Sequence, residues 1–216
     1  MSKRDRKRRQ ARRKSFRDSR PIILVVSEGE VTEPEYLKSF CRFHKNTRVR
    51  VVVHGGAGVP KTIVEHARDQ KRAAEKQARR ERDENLAYDK VWCVFDIDQH
   101  PNVPEAINMA NDNGLELAIS NPCIELWLWL HFAPQPGMQH RHWLQNEMKK
   151  HIAAYDKHVD FTDLAGGYDD AVQRARQLDQ QAEADDERGR NPTTGFYRLT
   201  SSILDDGSPS SAACEG

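Results

Sequence analysis

Acidic side chains follow two apolar runs of the sequence, at the points where those runs end. Glu28 comes directly after the run IILVVS, and Asp96 and Asp98 follow the run KVWCVF. At strand spacing Asp96 and Asp98 point the same way, and Glu28 can approach them from a neighbouring strand end. Three carboxylates so placed would raise one another's pKa unless a cation neutralised them. Mg²⁺ (or Mn²⁺) takes oxygen ligands and commonly binds substrate phosphates, so it is the predicted cofactor.

Some of these acids also have an ordinary explanation. A D-x-D pair is a weak motif by itself, because solvated acids in a turn give the same pattern, and the presence of Glu28 strengthens it. Thr32 and Glu35 have the T-x-x-E spacing of a capping box, which would satisfy free amide groups at a helix start. Glu33, in the same turn, could serve the helix dipole or enter a metal shell, and both interpretations stay open.

Glu125 is a further acid, and it interrupts a helix that is apolar almost all round. In the segment SNPCIELWLWLHF, Asn121 is the predicted N-cap and Pro122 occupies the favoured first helical position. The helix dipole favours an acid in the first turn, yet a carboxylate in so buried a helix needs a partner. A metal ion, or a base such as Arg198, would supply one.

The elements that would position these acids alternate between strands and helices. Four short apolar strands are predicted at IILVVS, RVRVVVHG, KVWCVF and LELAIS, with helical segments between them. One of these helices begins near Pro60 and runs to about Asn85, and its polar later half is expected to project into solvent. This order predicts an α/β fold, a three-layer αβα arrangement whose mainly parallel sheet has about four strands, with additional C-terminal helices. Ligands bind beyond the carboxyl ends of such strands, where the acids lie.

A strong positive charge is concentrated at the start of the chain. The 216 residues carry a formal net charge of +1, yet residues 1–20 hold eleven Lys and Arg against two Asp, a net charge of +9. This segment has too little apolar surface to fold, so we expect a disordered basic arm. Its basic residues, among them Arg8, Arg9, Arg12 and Arg13, could hold nucleic acid through counterion release, or the arm could be only a solubilising tail.

Other classes of protein and site are disfavoured. No apolar signal-peptide core follows the arm and residues 22–26 are too few to cross a bilayer, so a cytoplasmic protein without a membrane partner is expected. The four cysteines are widely separated, which argues against a zinc site and a disulfide framework. The segment HGGAGVPKT lacks P-loop spacing, although Lys61 within it could hold a substrate phosphate.

Four segments together resemble a known family. VVSEGEVTEPEYL, VFDIDQH, SNPCIELWLWLHF and RNPTTGFYRL are similar, in order and spacing, to the RloB-like family of bacterial proteins, found in restriction-modification and abortive-infection loci. The resemblance covers most of residues 22–204. The E-G and D-x-D elements also resemble the Toprim fold of topoisomerases, primases and OLD-type nucleases.

The resemblance implies a metal site built from Glu28, Asp96 and Asp98, with Glu33 at the place of a second acid in the nuclease members of the Toprim group. It leaves the roles of Asn121, Glu125 and Asn191 open, although all three fall in RloB-like motifs. The expected organisation is a basic arm over residues 1–20, one RloB-like or Toprim-like domain over residues 21–204 with a helical C-terminal part, and a disordered tail over residues 205–216.

Two hypotheses of function follow. The first is a Mg²⁺-dependent Toprim-like nuclease that cleaves RNA or DNA in antiphage defence by abortive infection. Its predicted catalytic residues are Glu28, Glu33, Asp96, Asp98 and Glu125, with Glu33 or Glu125 as a second-metal ligand or general base. The alternative is a non-catalytic adaptor or nucleic-acid-binding subunit of a defence complex. Because RloB-like proteins are often encoded beside ATPases, the resemblance implies an ATPase as its partner.

Overall fold

The computed structural model describes residues 21–45, 50–97, 103–135, 137–152 and 155–207. Several positions that the sequence singles out lie outside these described residues: the arm with Arg8, Arg9, Arg12 and Arg13, the second acid of the D-x-D pair, Asp98, and residues 208–216 of the expected tail. The predictions made for them therefore stay predictions.

A single mixed sheet forms the centre of the described part of the chain. Its strands are β1 (Ile22–Ser27), β2 (Arg50–His54), β3 (Lys90–Asp96), β4 (Glu116–Asn121) and β5 (Thr193–Thr194), in the spatial order β2-β1-β3-β4-β5. The first four are parallel, and β5 pairs antiparallel with the last two residues of β4. The predicted α/β fold is confirmed, with the short strand β5 added to the four expected strands.

Helices occupy the connections and the C-terminal part. They are α1 (Thr32–Phe43), α2 (Pro60–Glu81), α3 (Val103–Asp112), α4 (Glu125–Leu130), α5 (Arg141–His151), α6 (Tyr168–Ala184) and α7 (Phe196–Gly207). Short 3₁₀ turns lie at Glu84–Leu86, Phe161–Asp163 and Ala165–Gly167. The helices after β4 confirm the predicted helical C-terminal part.

The sheet has a separate apolar core on each face. Alternate residues of a strand point to opposite faces, so Ile23 and Val25 enter one core while Leu24 and Val26 enter the other. The large core contains the apolar sides of α1, α4, α5, α6 and α7, and the small core contains those of α2 and α3. The covered faces agree with a three-layer αβα arrangement.

The helix α2 is shorter than the sequence predicts and does not stand free. It ends at Glu81 rather than near Asn85, because Arg82 adopts a left-handed conformation with φ of 54°. Its later half is mostly exposed, yet Lys71 donates hydrogen bonds to the carbonyl oxygens of Asn113 and Gly114 at 2.9 and 3.0 Å. The middle of α2 is therefore fastened to the C-terminal end of α3.

The last helix extends beyond the expected domain boundary. The sequence assigns residues 205–207 to the tail, but α7 continues through Gly207. An ion pair of 2.8 Å joins Asp206 in its last turn to Lys90 at the start of β3. This contact gives the final turn a partner on the sheet, which a local composition argument does not detect.

Candidate metal centre

A cavity of about 340 Å³ opens at the carboxyl edge of the sheet, and we call it the acid cavity. Carboxyl groups line one part of it, and two basic side chains and an amide line another. The carboxyl groups belong to Glu28, Glu30, Glu33, Asp96 and Glu125, and the other polar side chains include Arg141, Gln145 and Lys157. The structure thus brings four of the five predicted catalytic acids to one cavity, and the fifth, Asp98, lies outside the described residues.

Glu28 and Asp96 meet because β1 and β3 are parallel neighbours in register. Ser27 lies opposite Val94, and the N–H of Glu28 donates to the carbonyl oxygen of Val94 at 3.0 Å. The carboxylate of Glu28 in turn accepts a hydrogen bond from the N–H of Asp96 at 3.2 Å. The two strand ends predicted to converge therefore do so through a direct contact.

Glu33 reaches the acid cavity from the first turn of α1 and is only 4% exposed. The N–H of Gly29 donates to its Oε1 at 3.1 Å. A Cβ atom built on Gly29 would lie 2.1 Å from Oε2 of Glu33, so this close approach requires glycine. The glycine that follows Glu28 therefore makes room for a second acid, in addition to allowing a tight turn.

The predicted capping box at the start of α1 is wrong. Residue Val31 occupies the N-cap without a side-chain cap, and the hydroxyl of Thr32 donates instead to the carbonyl oxygen of Lys157 at 2.9 Å. Glu35 accepts hydrogen bonds from the N–H of Val159 and from Nδ1 of His158, at 3.2 and 2.8 Å. Both side chains therefore hold the loop at residues 157–159 rather than capping their own helix.

Glu125 lies at the first residue of α4 and is 3% exposed. The prediction of Asn121 as the N-cap is wrong, since Asn121 is the last residue of β4 and its amide donates to the carbonyl oxygen of Gly189 at 2.8 Å. The suggested partner Arg198 pairs with Asp179 at 2.7 Å. Glu125 instead accepts a hydrogen bond of 3.3 Å from the hydroxyl of Tyr155.

The acids influence one another's protonation. Burial, reinforced by the charges of Glu33, Glu125 and Glu28, holds the pKa of Asp96 well above its ordinary value, with Arg141 opposing this effect. Burial also raises the pKa of Glu33, although its backbone hydrogen bonds act in the opposite direction. Carboxyl groups that raise one another's pKa in this way would be stabilised in their charged forms by a bound cation.

The donor set fits a hard divalent cation, because it consists of carboxylate oxygens at one sheet edge. Within the described ranges, no group of three or more His, Cys, Asp and Glu side chains is arranged so that it could hold a metal ion as it stands. The two described residues predicted as metal ligands, Glu28 and Asp96, are joined by a hydrogen bond from the backbone N–H of Asp96, and Asp98 is the further predicted ligand.

Four polar side chains of the acid cavity were not found from the sequence, and one of them is the acid Glu30. Arg141 and Gln145 project from the first turns of α5, and Lys157 lies in the loop that follows it. Lys157 has a left-handed backbone with φ of 66°, and its carbonyl oxygen is held by Thr32. No motif or periodic pattern marks the positions of Arg141, Gln145 and Lys157, since only the return of the chain to the sheet edge brings them to the acids.

Other predicted positions lie elsewhere. Lys61, in the first turn of α2, forms an ion pair of 2.7 Å with Glu105 and is not among the residues lining the acid cavity. Asn191 donates a hydrogen bond of 2.8 Å from its amide to the carbonyl oxygen of Gln139. This hydrogen bond fixes two loops to each other, whereas the amide of Asn121 fixes the end of β4 to the loop at Gly189.

Comparison with known proteins identifies the family. A model of the RloB-like protein family matches residues 23–203, a span that includes all four of the gathered acids named in the prediction. No curated protein sequence matches the chain. Among the helices that the structure describes, none is long and apolar enough to span a membrane.

Proposed function

The chain belongs to the RloB-like protein family, and from this premise we propose that it is a metal-dependent nuclease acting in antiphage defence by abortive infection. The observation that carries the proposal is the composition of the acid cavity, in which acidic and basic side chains line the same space at one sheet edge. The acids are Glu28, Glu33, Asp96 and Glu125, and the other polar side chains are Arg141, Gln145 and Lys157. Carboxylates together with basic side chains suit a reaction that needs both a cation and a bound phosphate. In this proposal the acids bind a metal ion, as the resemblance to the Toprim fold implies.

Glu28 and Asp96 would hold the cation, Mg²⁺ or Mn²⁺, together with Asp98. When bound, such an ion supplies positive charge for a phosphate oxygen and lowers the pKa of a coordinated water. The hydrogen bond from the N–H of Asp96 to Glu28 supports this assignment, because it already fixes one oxygen of Glu28 beside the end of β3.

Glu33 would accept the proton of the attacking water. The water oxygen forms the new bond to phosphorus as the ester P–O bond breaks, and the departing oxygen takes up a proton from solvent. Glu33 suits this role because its carboxylate is buried and oriented by the N–H of Gly29, one residue after Glu28. Glu125, whose oxygen is fixed by the hydroxyl of Tyr155, would be the further ligand.

Lys157 and Arg141 would bind the phosphate as negative charge moves on to its oxygens. Thr32 positions the backbone of Lys157, and Glu35 positions the two residues that follow it. Helix α1 therefore supplies the acid Glu33 and also holds the loop that carries Lys157. The basic arm would hold more distant phosphates of the RNA or DNA without regard to sequence.

Metal-dependent cleavage is the direct test. The purified protein is incubated with single-stranded RNA, duplex RNA and DNA, with Mg²⁺, with Mn²⁺ and with excess chelator. We expect cleavage that stops with chelator and is lost in Asp96→Asn, while the exposed end-of-helix control Asp112→Asn retains it. Cleavage that persists in Asp96→Asn would remove the acid cavity from the reaction.

The adaptor hypothesis has one observation in its favour, the exposed later half of α2. Residues 68–82 contain seven Lys and Arg against three acidic residues, and most of these side chains face solvent. Such a helix could bind a partner ATPase or nucleic acid without catalysing a reaction. Co-expression with the neighbouring genes distinguishes the two: an adaptor retains phage protection when the acids are neutralised, and a nuclease does not.

A further inference from the structure

A second cavity, of about 500 Å³, lies beside the outer edge of β4, and we call it the edge groove. Its floor consists of the aliphatic side chains of Ile97, Ile107, Leu117 and Ile119, which are half-buried and packed against the small core. Gly195, directly after β5, forms part of its wall. The volume lies within the range of small-ligand pockets, which are mostly apolar with a few polar groups.

The edge groove adjoins the acid cavity through the backbone. Asp96 lines the acid cavity, and the next residue, Ile97, lines the edge groove. The N–H of Ile97 donates to the carbonyl oxygen of Ser120 at 3.0 Å, which fixes this segment to β4. Two consecutive residues of an extended chain point in opposite directions, so the two cavities lie on either side of one short stretch of backbone.

The charged side chains at the rim of the edge groove form ion pairs with one another. Arg198 pairs with Asp179 at 2.7 Å, and Arg188 pairs with Glu183 at 2.5 Å. An anionic occupant would have to compete with these carboxylates, which argues against a phosphate in the groove. Asn111 also lines the groove and is exposed, so its side-chain amide offers a donor and an acceptor beside the apolar floor.

We propose that the edge groove binds a nucleobase of the substrate, next to the phosphate that the acid cavity holds. This inference rests on the proposed nuclease function and adds that the substrate is read as an unpaired base. A base is neutral and has an apolar face for the aliphatic floor and a hydrogen-bonding edge for Asn111. A base within a duplex is stacked and paired, so the groove selects single-stranded or locally opened nucleic acid.

The test uses free nucleosides, which carry no phosphate and need no metal. Binding of adenosine, guanosine, cytidine and uridine to the full-length protein is measured by saturation-transfer NMR in the presence of chelator. Two variants fill the groove from different walls, Gly195→Leu and Ile107→Phe. A Cβ atom on Gly195 would begin 3.4 Å from the amide nitrogen of Ile119, an ordinary contact, so the first added atom meets no clash. The exposed residue Asn108 on α3 provides the control Asn108→Ala.

We expect at least one nucleoside to bind the parent protein and Asn108→Ala, and to bind at least tenfold more weakly to both filled variants. Thermal melting identifies a variant that fails to fold, and the other variant then decides. Absence of nucleoside binding to the parent, or equal binding to all four proteins, would overturn the proposal. Cleavage of single-stranded oligonucleotides by the same proteins keeps the two ideas separate: nucleoside binding without any metal-dependent cleavage would count against the nuclease alone.

Discussion

The N–H of Asp96 donates a hydrogen bond of 3.2 Å to the carboxylate of Glu28, joining the ends of β1 and β3. Glu28→Gln keeps an oxygen that can accept this bond and removes one negative charge. We expect Mn²⁺ affinity to fall at least tenfold, about 1.4 kcal/mol, with little change in thermal stability. Calorimetric titration checks the affinity, with Glu116→Gln, an exposed acid of β4, as the matched control.

Phage challenge is a second assay of the Glu28→Gln variant. If the acid cavity performs catalysis, Glu28→Gln expressed at the parent level with its neighbouring genes should no longer protect cells. Full protection by a stably folded Glu28→Gln would contradict the nuclease and support the adaptor.

Gly29 is predicted to tolerate no side chain. In Gly29→Ala the new methyl group would meet the carboxylate of Glu33, which would have to give up its hydrogen bond from the N–H of residue 29 in order to move away. We expect a loss of about 1–3 kcal/mol in the free energy of unfolding, measured by urea denaturation. Gly166→Ala is the control, since a Cβ atom there would meet nothing within 4 Å. Equal stability of the two variants would show that Glu33 moves away freely.

Lys157 is predicted to act on the rate rather than on the fold. Its side chain is exposed at the acid cavity, while its backbone carbonyl is what Thr32 holds, so Lys157→Ala leaves that hydrogen bond in place. We expect cleavage to slow by about 10²–10³-fold with unchanged Mn²⁺ affinity. Single-turnover kinetics measures the effect, and Lys149→Ala on the exposed side of α5 is the control. A rate equal to the parent's would exclude Lys157 from phosphate binding.

His131 is predicted to make stability depend on pH. Burial lowers its pKa from 6.5 to about 4, and its ring contacts the carbonyl oxygen of Trp127 and the hydroxyl of Tyr36. The unfolded chain takes up this proton before the folded chain does, so stability falls as pH drops from 6.5 towards 4. The loss over this window is on the order of 3 kcal/mol.

Chemical denaturation at pH 7 and pH 4.5 checks this dependence. In His131→Gln the difference between the two pH values should shrink, because the titrating ring is gone while an amide donor to Trp127 remains. An unchanged difference would assign the acid sensitivity to other groups.

The fold was predictable from the sequence where the residues of a strand show a hydrophobic pattern of their own. The runs ending at Ser27 and Asp96 are apolar on both faces, which indicates a covered parallel sheet, and the sheet edge where ligands bind follows from it. The two-residue strand β5 has no periodicity of its own and forms only because Thr193 and Thr194 meet the end of β4. Its existence depends on a contact between distant parts of the chain.

The candidate site was predictable for the acids and not for their surroundings. Glu28 and Asp96 are marked by the ends of apolar runs, and Glu125 by its place in an apolar helix. Tyr155 and Lys157 belong to a loop without a motif. Tyr155 donates a hydrogen bond to Glu125, and Lys157, whose carbonyl oxygen is held by Thr32, lines the cavity. These contacts span 30 and 125 residues of the chain, so they are set by tertiary packing, which local spacing does not encode.

The hydrogen bond between Thr32 and Lys157 has a consequence for synthesis on the ribosome. It joins positions 125 residues apart, so the pocket stays incomplete until the second of them has emerged. At about 5–20 residues per second, that interval lasts roughly 6–25 s. If the acid cavity cleaves RNA, as proposed above, a nascent chain that still lacks Lys157 would not yet cleave the messenger from which it is being translated.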